Sequence, residues 1–336
     1  MMNNRDIVPS LVSIIIPTYN RKHYLPLAIK SALAQTYSNF EVIVSDDCSN
    51  ESIDDIASDF SDSRVRFRRN SSNLYQAGNF LAALDECQGE FIATLHDDDL
   101  WSPDFLMCLV PKLIQHSHVN VAFSNHEIID ANGIVIPGRA DIVEKRHHRS
   151  NLTAGLHCPF IEEAVIHNAV PVAMASVFRF SSLNEQVHTL LPQYKYHYDW
   201  VLSYLLCRKG EPVWFDPRRL TYYRSHNQSI NLASANLKEK DEGGIGVCKL
   251  MMDDPCLISI HEQIQSLLGK LQTRAGIKLI QTGQRDEGFH LLLEGWKNSK
   301  DIRAVCTALI ALLPENLAKS LITELKRIKR RLGICA

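Results

Sequence analysis

The sequence predicts an α/β protein with a mostly parallel sheet flanked by helices, followed by an α-helical region. Short apolar strands alternate with amphipathic helices from residue 11 to residue 100, which is typical of a parallel sheet with right-handed crossovers. The first strand, Leu11–Ile16, is almost entirely apolar, as in strands that helices cover on both faces. Polar side chains directly follow three of the strands. They therefore belong to the carboxyl edge of the sheet, where open α/β sheets bind ligands.

The elements follow each other in a regular order. The first helix carries an apolar face formed by Leu25, Ile29, Ala32 and Leu33. The further strands are predicted at Phe40–Val44, Arg64–Phe67, Phe91–Leu95, Val119–Ser124 and Val170–Phe180. The further helices are predicted at Ser52–Phe60, Ala77–Cys87, after Pro103 and at Val201–Leu206.

The composition is that of an ordinary globular protein. The chain has 336 residues, of which 45% are hydrophobic and 22% charged, and its formal net charge is −2. No overall field therefore favours a nucleic-acid partner. The nine cysteines form no C-x-x-C pair, and residues 1–10 contain no apolar signal segment. These features favour reduced thiols in the cytoplasm, and Ala304–Leu313 is too short to span a bilayer.

Three consecutive aspartates follow the strand Phe91–Leu95. The stretch reads His96-Asp97-Asp98-Asp99, and Pro103 then suits the first turn of a helix. Adjacent carboxylates repel each other, and a hard divalent cation such as Mg²⁺ or Mn²⁺ resolves the conflict. A solvated acidic turn that caps the following helix is the alternative.

The first two strands also end in polar groups. Pro17-Thr18-Tyr19-Asn20-Arg21 follows the first strand, and Ser45-Asp46-Asp47-Cys48-Ser49 follows the second. The pattern indicates a site for a nucleotide, its phosphates and a metal, although strand ends are polar in many α/β proteins. No G-x-G-x-x-G follows the first strand, which argues against a dinucleotide oxidoreductase, and no P-loop motif occurs.

These stretches resemble the family 2 glycosyltransferases of the GT-A fold, which use nucleotide sugars to build bacterial polysaccharides. The matching motifs are V-S-I-I-I-P-T-Y-N-R at 12–21, V-I-V-S-D-D-C-S at 42–49 and L-H-D-D-D-L-W-S-P-D at 95–104. The motifs occur in the family's order, and the resemblance extends over about residues 11–231. It implies a GT-A domain at 1–235 and a helical C-terminal region at 236–336.

The resemblance implies a set of donor-binding residues. Pro17, Thr18 and Tyr19 correspond to the loop that cradles the nucleotide, with the aromatic ring stacking on the base. Asp47 corresponds to the acid that accepts a hydrogen bond from the base, and Asp97 lies near the ribose or the metal. Arg68 or Arg69 could reach the pyrophosphate, but a solvated surface arginine is an equal alternative.

The resemblance also implies a site for Mn²⁺ or Mg²⁺. Alignment on Trp101 and Pro103 makes Asp98 the metal ligand, and we add Asp99, which supports the loop, and His226. His226 belongs to a Y-R-x-H segment and could reach the metal or a phosphate. Family members commonly have Asp where this chain has His96, which we interpret as a polar neighbour rather than a ligand.

Asp199 is the predicted catalytic base. Family members carry an acidic residue at this place, and in Tyr198-Asp199 it is the only carboxylate. Inverting transfer needs a carboxylate that takes the proton of the acceptor hydroxyl while its oxygen attacks C1 of the sugar. Capping of the following helix is the alternative role. Arg224 is predicted to neutralise the leaving pyrophosphate.

Three further segments have mainly structural interpretations. Glu127–Ile136 is predicted as a hairpin around Asn132-Gly133, and Pro137–Pro159 as a loop, either solvated or closing over the donor. Lys238–Gly246 is predicted as a linker. Helical periodicity then covers Cys256–Gly283, Asp286–Ser299 and Asp301–Gly333. The basic run at 326–332 either contacts an anionic membrane or complements a helix dipole.

The sequence thus predicts a metal-dependent, inverting glycosyltransferase that transfers a sugar from a nucleotide diphosphate sugar, UDP-linked in our interpretation. The acceptor would be a hydroxyl of a glycan or lipid-linked molecule in cell-surface polysaccharide synthesis. We expect a cytoplasmic protein, peripheral to the inner face of the plasma membrane if the basic run binds lipid. The rivals are a non-catalytic nucleotide-sugar-binding scaffold and a sugar nucleotidyltransferase, although Pro17–Arg21 lacks the latter's Gly-rich loop.

Overall fold

The structure is a computed structural model that describes residues 10–183, 185–226 and 238–300, together with positions 317, 320, 324 and 327. The chain divides into two compact units, residues 1–233 and 234–336. The predicted boundary at 235/236 lies outside the described residues. The assignment of the two regions to a catalytic domain and an extension therefore stays a prediction.

The first unit contains one mixed sheet. Its described strands are β1 Val12–Thr18, β2 Phe40–Asp46, β3 Val65–Arg69, β4 Phe91–Thr94, β5 Leu100–Trp101, β6 Val121–Ile129, β7 Gly155–His157, β8 Ser176–Arg179 and β9 Val213–Arg224. They are ordered β3-β2-β1-β4-β8-β6-β9-β5, and β7 pairs with β9. The pairs from β3 to β4 are parallel, β6 and β9 are also parallel, and β8 is antiparallel to both its neighbours. The predicted α/β sheet is confirmed, but it is mixed rather than mostly parallel, because β5, β7 and β8 pair in antiparallel fashion.

Helices of the first unit cover the sheet. They are α1 Leu25–Leu33, α2 Asp54–Asp59, α3 Tyr75–Leu84, α4 Phe105–Gln115, α5 Arg139–Arg146, α6 Ile161–Val165, α7 Gln186–Leu190 and α8 Tyr198–Cys207. The core lies between β1, β2, β4 and helices α1 and α4, and alternate residues of each strand, such as Ile14, Ile16 and Val42, are fully buried in it. Burial of the strands on both faces explains why their sequences are nearly continuous apolar runs.

Two segments predicted as irregular are helical. Within Pro137–Pro159, α5 follows Gly138, whose φ of +72° starts the turn, and Arg219 of β9 pairs with Glu144 of this helix. The predicted linker is wrong because Lys238–Met252 forms helix α9. Its buried Asp241 carboxylate accepts hydrogen bonds from Arg274 and Lys278, and these long-range ion pairs are invisible to local composition.

In the second unit, α9 is followed by α10 His261–Gln281 and α11 Arg285–Ser299. Glycines allow α10 and α11 to pack closely. A Cβ atom built on Gly276 would lie 2.7 Å from the Gly288 carbonyl oxygen, and one built on Gly269 would lie 2.6 Å from that of Gly295. The helical C-terminal region is thus present, whereas residues 301–316 and most of the predicted basic run are outside the described residues. None of the described helices is both long and apolar enough to cross a membrane.

Candidate active site

The loops after β1 and β2 are tied together at the carboxyl edge of the sheet. The backbone N–H of Asp47 donates to the Thr18 carbonyl oxygen over 2.9 Å. The backbone N–H of Asn20 donates to Ser49 Oγ, and the Asn20 side chain in turn accepts from the N–H of Asn50, each over 2.8 Å. These bonds leave the ring of Tyr19 41% exposed above the sheet edge. The loop of Pro17, Thr18 and Tyr19, which is predicted to cradle the nucleotide, is therefore held to the loop after β2 by hydrogen bonds.

Asp47 is buried, and only one of its two carboxylate oxygens accepts hydrogen bonds from the described residues. Its Oδ1 atom accepts hydrogen bonds from Asn70 Nδ2 and from the backbone N–H of Leu74, both over 2.8 Å. Its Oδ2 atom has no hydrogen-bond partner among the described residues, and the residue is only 3% exposed. A carboxylate held in this way can accept an N–H from a ligand without first breaking a bond to the protein.

Arg68 and Arg69, the two arginines considered for the pyrophosphate, already donate hydrogen bonds within the protein. Arg69 donates to Asp46 Oδ2 and to the Ser49 carbonyl oxygen. Arg68 donates to Glu86 and to Ser45 Oγ. Both arginines therefore act in holding loops and strands, and neither is among the residues that line the cavity described below.

The acidic run after β4 is held from two sides. Both oxygens of Asp97 accept hydrogen bonds, one from Thr18 Oγ1 over 2.7 Å and one from Arg21 over 3.0 Å. The same Arg21 nitrogen lies 2.8 Å from Asp98 Oδ2, which also lies 2.9 Å from Nε2 of His226. Arg21 thus bridges two carboxylates that would otherwise face each other without a cation.

Asp99 completes the run with an unsatisfied oxygen. Its Oδ1 atom accepts the backbone N–H of Arg224 over 2.8 Å, whereas its Oδ2 atom is buried without a hydrogen-bond partner among the described residues. Nδ1 of His96 lies 3.8 Å from this oxygen, and Nε2 of the same ring lies 3.1 Å from the hydroxyl of Tyr198. An orphaned buried carboxylate oxygen is costly and points to a missing partner.

Burial dominates the electrostatics of the run. It raises the pKa of Asp97 to about 7 and the pKa of Asp99 well above its ordinary value. Burial also opposes ionisation of Asp98, but Arg21, His96 and His226 outweigh it and hold the pKa of Asp98 below its ordinary value. Burial lowers the pKa of His96, so its imidazole is available as a neutral ligand.

The residues fit a divalent cation. The candidate ligand atoms of His96, Asp98 and Asp99 all lie within 4.8 Å of one another. Asp98 Oδ1 and Asp99 Oδ2 have no hydrogen-bond partner among the described residues, and carboxylate oxygens with one imidazole suit Mn²⁺. Of the three predicted ligands, Asp98 and Asp99 belong to this cluster, whereas His226 is bonded to Asp98. His96, interpreted from the sequence as a neighbour, is the third member.

A cavity of about 460 Å³ opens beside the acidic run, within the range of small-molecule sites. Five of the six predicted donor-binding residues line it: Pro17, Thr18, Tyr19, Asp47 and Asp97. Residues that the prediction did not assign to the donor also line it, among them Arg21, Tyr75, His96, Lys195 and Tyr196. The three strand-end loops therefore contribute to one cavity.

Residues 13–170 match the sequence profile described as glycosyl transferase family 2. Over these residues, just under half of the chain, the protein is similar to glycosyl transferase family 2. This confirms the resemblance seen in the three strand-end motifs, which lie within the matched residues except for Val12.

Curated relatives of this chain include further glycosyltransferases. WfgD of Escherichia coli, a UDP-Glc:α-D-GlcNAc-diphosphoundecaprenol β-1,3-glucosyltransferase, is 38% identical over 125 residues, 37% of this chain and 49% of WfgD. The chain thus aligns with about half of that relative's length. The uncharacterised glycosyltransferase RP339 of Rickettsia prowazekii is 26% identical over 82% of this chain and 85% of its own.

A solved structure confirms the GT-A fold of this chain. TarS of S. aureus, residues 1–349, superposes with a TM-score of 0.60 at 16% identity, covering 88% of this chain and 89% of that one. At this identity the likeness concerns the fold alone.

Five predicted site residues do not line the cavity: the predicted metal ligands Asp98, Asp99 and His226, and also Arg224 and Asp199. Arg224 is only 2% exposed, and its guanidinium group donates to the carbonyl oxygens of Asp98, Asp130 and Ala131. Asp199 lies in the first turn of α8, where its Oδ1 atom accepts the backbone N–H of Trp200. Their predicted roles, with the pyrophosphate and as base, stay predictions.

Sequence reasoning missed other residues for identifiable reasons. Arg21 closes the motif after the first strand, and the shared edge of the sheet could have indicated that it lies near the three aspartates. Tyr198 directly precedes the predicted base Asp199, and this position could have indicated that it belongs to the site. Tyr75 and Lys195 follow no strand end and belong to no motif, so only the folded chain brings them to the cavity.

Proposed function

We propose that this chain is an inverting, metal-dependent glycosyltransferase. It transfers a sugar from a nucleotide diphosphate sugar, preferentially UDP-linked, to a hydroxyl of a glycan or lipid-linked acceptor in cell-surface polysaccharide synthesis. The observation that supports this best is the single cavity lined by Tyr19, Asp47 and Asp97, one from each strand-end loop. A nucleotide needs a stacking surface and an acceptor for its base, which the first two loops offer, and the acidic run of the third loop would hold a cation that offsets the charge of the phosphates.

The base would lie between the first two loops. The exposed ring of Tyr19 offers a stacking surface, and Asp47 Oδ2 can accept the N–H of a uracil-type base. The bonds to Asn70 and Leu74 fix the carboxylate, so little side-chain entropy is lost when the base binds. A base without an N–H at that position leaves the buried acid unpaired and binds less tightly.

His96, Asp98 and Asp99 would hold Mn²⁺ or Mg²⁺. Such an ion supplies positive charge to the departing diphosphate. His226 orients Asp98 through a 2.9 Å contact, and Arg21 limits the repulsion between Asp97 and Asp98. PcManGT of Pyrobaculum calidifontis, which shares the fold at 14% identity and a TM-score of 0.50, was solved with GDP-Man and Mn²⁺.

Asp199 is proposed as the base. Its Oδ1 atom accepts a hydrogen bond from the helix backbone, whereas Oδ2 has no hydrogen-bond partner among the described residues and can take the proton of the acceptor hydroxyl. The acceptor oxygen then attacks C1 of the sugar while the bond from C1 to the diphosphate oxygen breaks. Attack from the face opposite the leaving group inverts the configuration at C1.

The relatives support the choice of donor and acceptor class. The name of WfgD specifies a UDP-glucose donor and a diphosphoundecaprenol-linked acceptor, and TarS was solved with UDP and with UDP-GlcNAc. We extend to this chain only the UDP-sugar and the lipid-linked glycan as classes. A cytoplasmic location at the inner face of the plasma membrane would bring the site to such an acceptor, and binding to anionic lipid remains a proposal.

The decisive experiment measures donor turnover and transfer. Purified protein is incubated with UDP-, GDP- and dTDP-sugars, with and without Mn²⁺, and with a prenyl-diphosphate-linked sugar as acceptor. We expect transfer from a UDP-sugar that requires the metal, and Asp199→Asn should bind the donor while transfer is lost. Donor binding without any turnover by the unaltered protein would instead favour the non-catalytic scaffold.

A further inference from the structure

Lys195 holds an unusual position on the cavity wall. Its ammonium nitrogen lies 4.3 Å from the ring centroid of Tyr75 and 5.1 Å from that of Tyr196. All three residues line the cavity that also contains Tyr19, Asp47 and Asp97. We call Tyr75, Lys195 and Tyr196 the tyrosine–lysine clamp.

The ammonium group has no anionic partner in the described part of the chain. Lys195 is partly buried, yet no carboxylate lies within ion-pair distance of it among residues 10–183, 185–226 and 238–300. Two aromatic faces offer attraction to a cation but do not neutralise its charge. A cation that is partly withdrawn from water without a counter-ion favours binding of an anion at that point.

The backbone of Tyr75 is held in a conformation that bulky residues rarely adopt. Its φ is +61°, in the left-handed region, and its N–H donates to Asn73 Oδ1 over 2.8 Å. The ring is 55% exposed, so no gain from burial in the core accounts for the strain. Strained residues of this kind concentrate at ligand sites, and here the strain places an aromatic ring beneath the ammonium group of Lys195.

The charges around the cavity identify what the clamp can bind. Arg21 and Lys195 are the lysine and arginine side chains among the described lining residues. Arg21 is engaged with the carboxylates of Asp97 and Asp98, at 3.0 and 2.8 Å. Lys195 is therefore the lining lysine or arginine whose charge is left for a ligand.

We propose that the tyrosine–lysine clamp is a diphosphate-binding subsite. The inference rests on the proposed function, because it assumes that a diphosphate enters this cavity. A compact ammonium group suits phosphate oxygens, and the two rings restrict where the long lysine side chain can point. The diphosphate could belong to the nucleotide donor or to a lipid-linked acceptor, and the chemistry recognised is the same.

The test compares ligands with and without the diphosphate. Calorimetric titrations with uridine, UDP and farnesyl diphosphate are made on the full chain and on Lys195→Met, which keeps the aliphatic stem. Lys195→Arg is the rescue variant, and Lys209→Met, at an exposed site, is the matched control. Circular dichroism melting verifies that each variant is folded.

We expect Lys195→Met to lower the affinity for UDP about tenfold and to leave uridine binding unchanged, because one charge-assisted contact to phosphate is lost. Lys195→Arg should restore most of the loss, and the salt dependence of UDP binding should weaken in Lys195→Met. If the loss affects farnesyl diphosphate and spares UDP, the subsite serves the acceptor.

Unchanged affinities for both diphosphates in Lys195→Met would overturn the subsite while UDP binding by the unaltered protein still supported the proposed function. Equal losses for uridine and UDP would also overturn it, since the lysine would then not act on the phosphates. If the unaltered protein bound neither UDP nor farnesyl diphosphate, both the subsite and the proposed function would be wrong.

Discussion

Arg21 is the side chain whose removal tests the electrostatics of the site most severely. Its guanidinium group bridges Asp97 and Asp98, and the three side chains are only 13%, 4% and 9% exposed. Arg21→Met keeps most of the aliphatic volume and removes the positive charge. The variant therefore leaves two buried carboxylates facing each other beside a third, Asp99.

The contacts that remain in Arg21→Met limit the expected loss of folding stability. Removing one partner of a buried ion pair costs about 3–5 kcal/mol, because the remaining charge is left uncompensated. Here Asp97 keeps its bond to Thr18 and Asp98 keeps its contact with His226. Asp97 can also take up a proton, since burial already raises its pKa to about 7. We therefore expect a loss of about 2–3 kcal/mol of stability at pH 8.

The assay is urea unfolding followed by tryptophan fluorescence, which reports mainly on the first unit because Trp101, Trp200 and Trp214 belong to it. The loss should shrink at pH 6, where Asp97, with its pKa raised to about 7, takes up a proton. Mn²⁺ should stabilise Arg21→Met more than the unaltered protein, because the ion replaces the missing cation.

Arg66→Met is the matched control, since Arg66 pairs with Glu41 and Glu86 but is 41% exposed. Its cost should stay below about 1 kcal/mol. Equal stability of Arg21→Met and the unaltered protein at pH 8, or an equal response of both to Mn²⁺, would refute the reasoning about the buried acidic run.

Three further outcomes are expected. Burial raises the pKa of Asp97 from 3.8 to about 7, so its contribution to stability is complete below pH 4 and is lost as the pH rises through 7. The urea midpoint of the unaltered protein should therefore fall between pH 4 and 8, and Asp97→Asn should remove that fall. Gly276→Ala should destabilise the second unit by about 1–3 kcal/mol, since the new Cβ would lie 2.7 Å from the Gly288 carbonyl oxygen, and an unchanged or raised melting temperature would contradict this packing. His96→Ala should weaken Mn²⁺ binding, measured by electron paramagnetic resonance, at least tenfold more than it weakens Mg²⁺ binding, measured by competition with Mn²⁺. Equal losses of affinity for the two ions would show that the imidazole is no ligand.

The strand-end loops could be predicted because two local signals agree there. Apolar runs identify parallel strands, and the carboxyl ends of such strands share one edge of the sheet. Tyr19, Asp47 and Asp97 follow three strands that are neighbours in the sheet, and they line one cavity. Knowledge of the strands was thus enough to bring these residues together without any side-chain detail.

The rest depended on long-range contacts. Helix α9 was missed because its polar, Gly-containing sequence is typical of a linker, whereas in the fold its Asp241 is buried against Arg274 and Lys278. Lys195 lies 120 residues from Tyr75 in the chain, and no periodicity connects them. His96 was set aside as a neighbour because only the folded loop shows its ring beside the orphaned oxygen of Asp99.

The central claim is that the three strand-end loops act on one nucleotide sugar, and titration of uridine and of UDP with Mn²⁺ into Asp47→Asn and Asp98→Asn tests it most directly. Asp47→Asn should weaken both ligands about tenfold or more, because it changes the acceptor for the base. Asp98→Asn should weaken UDP with Mn²⁺ and leave uridine unchanged, because it acts only through the metal and the diphosphate. If UDP with Mn²⁺ bound as tightly to both variants as to the unaltered protein, the claim of a single site would be contradicted.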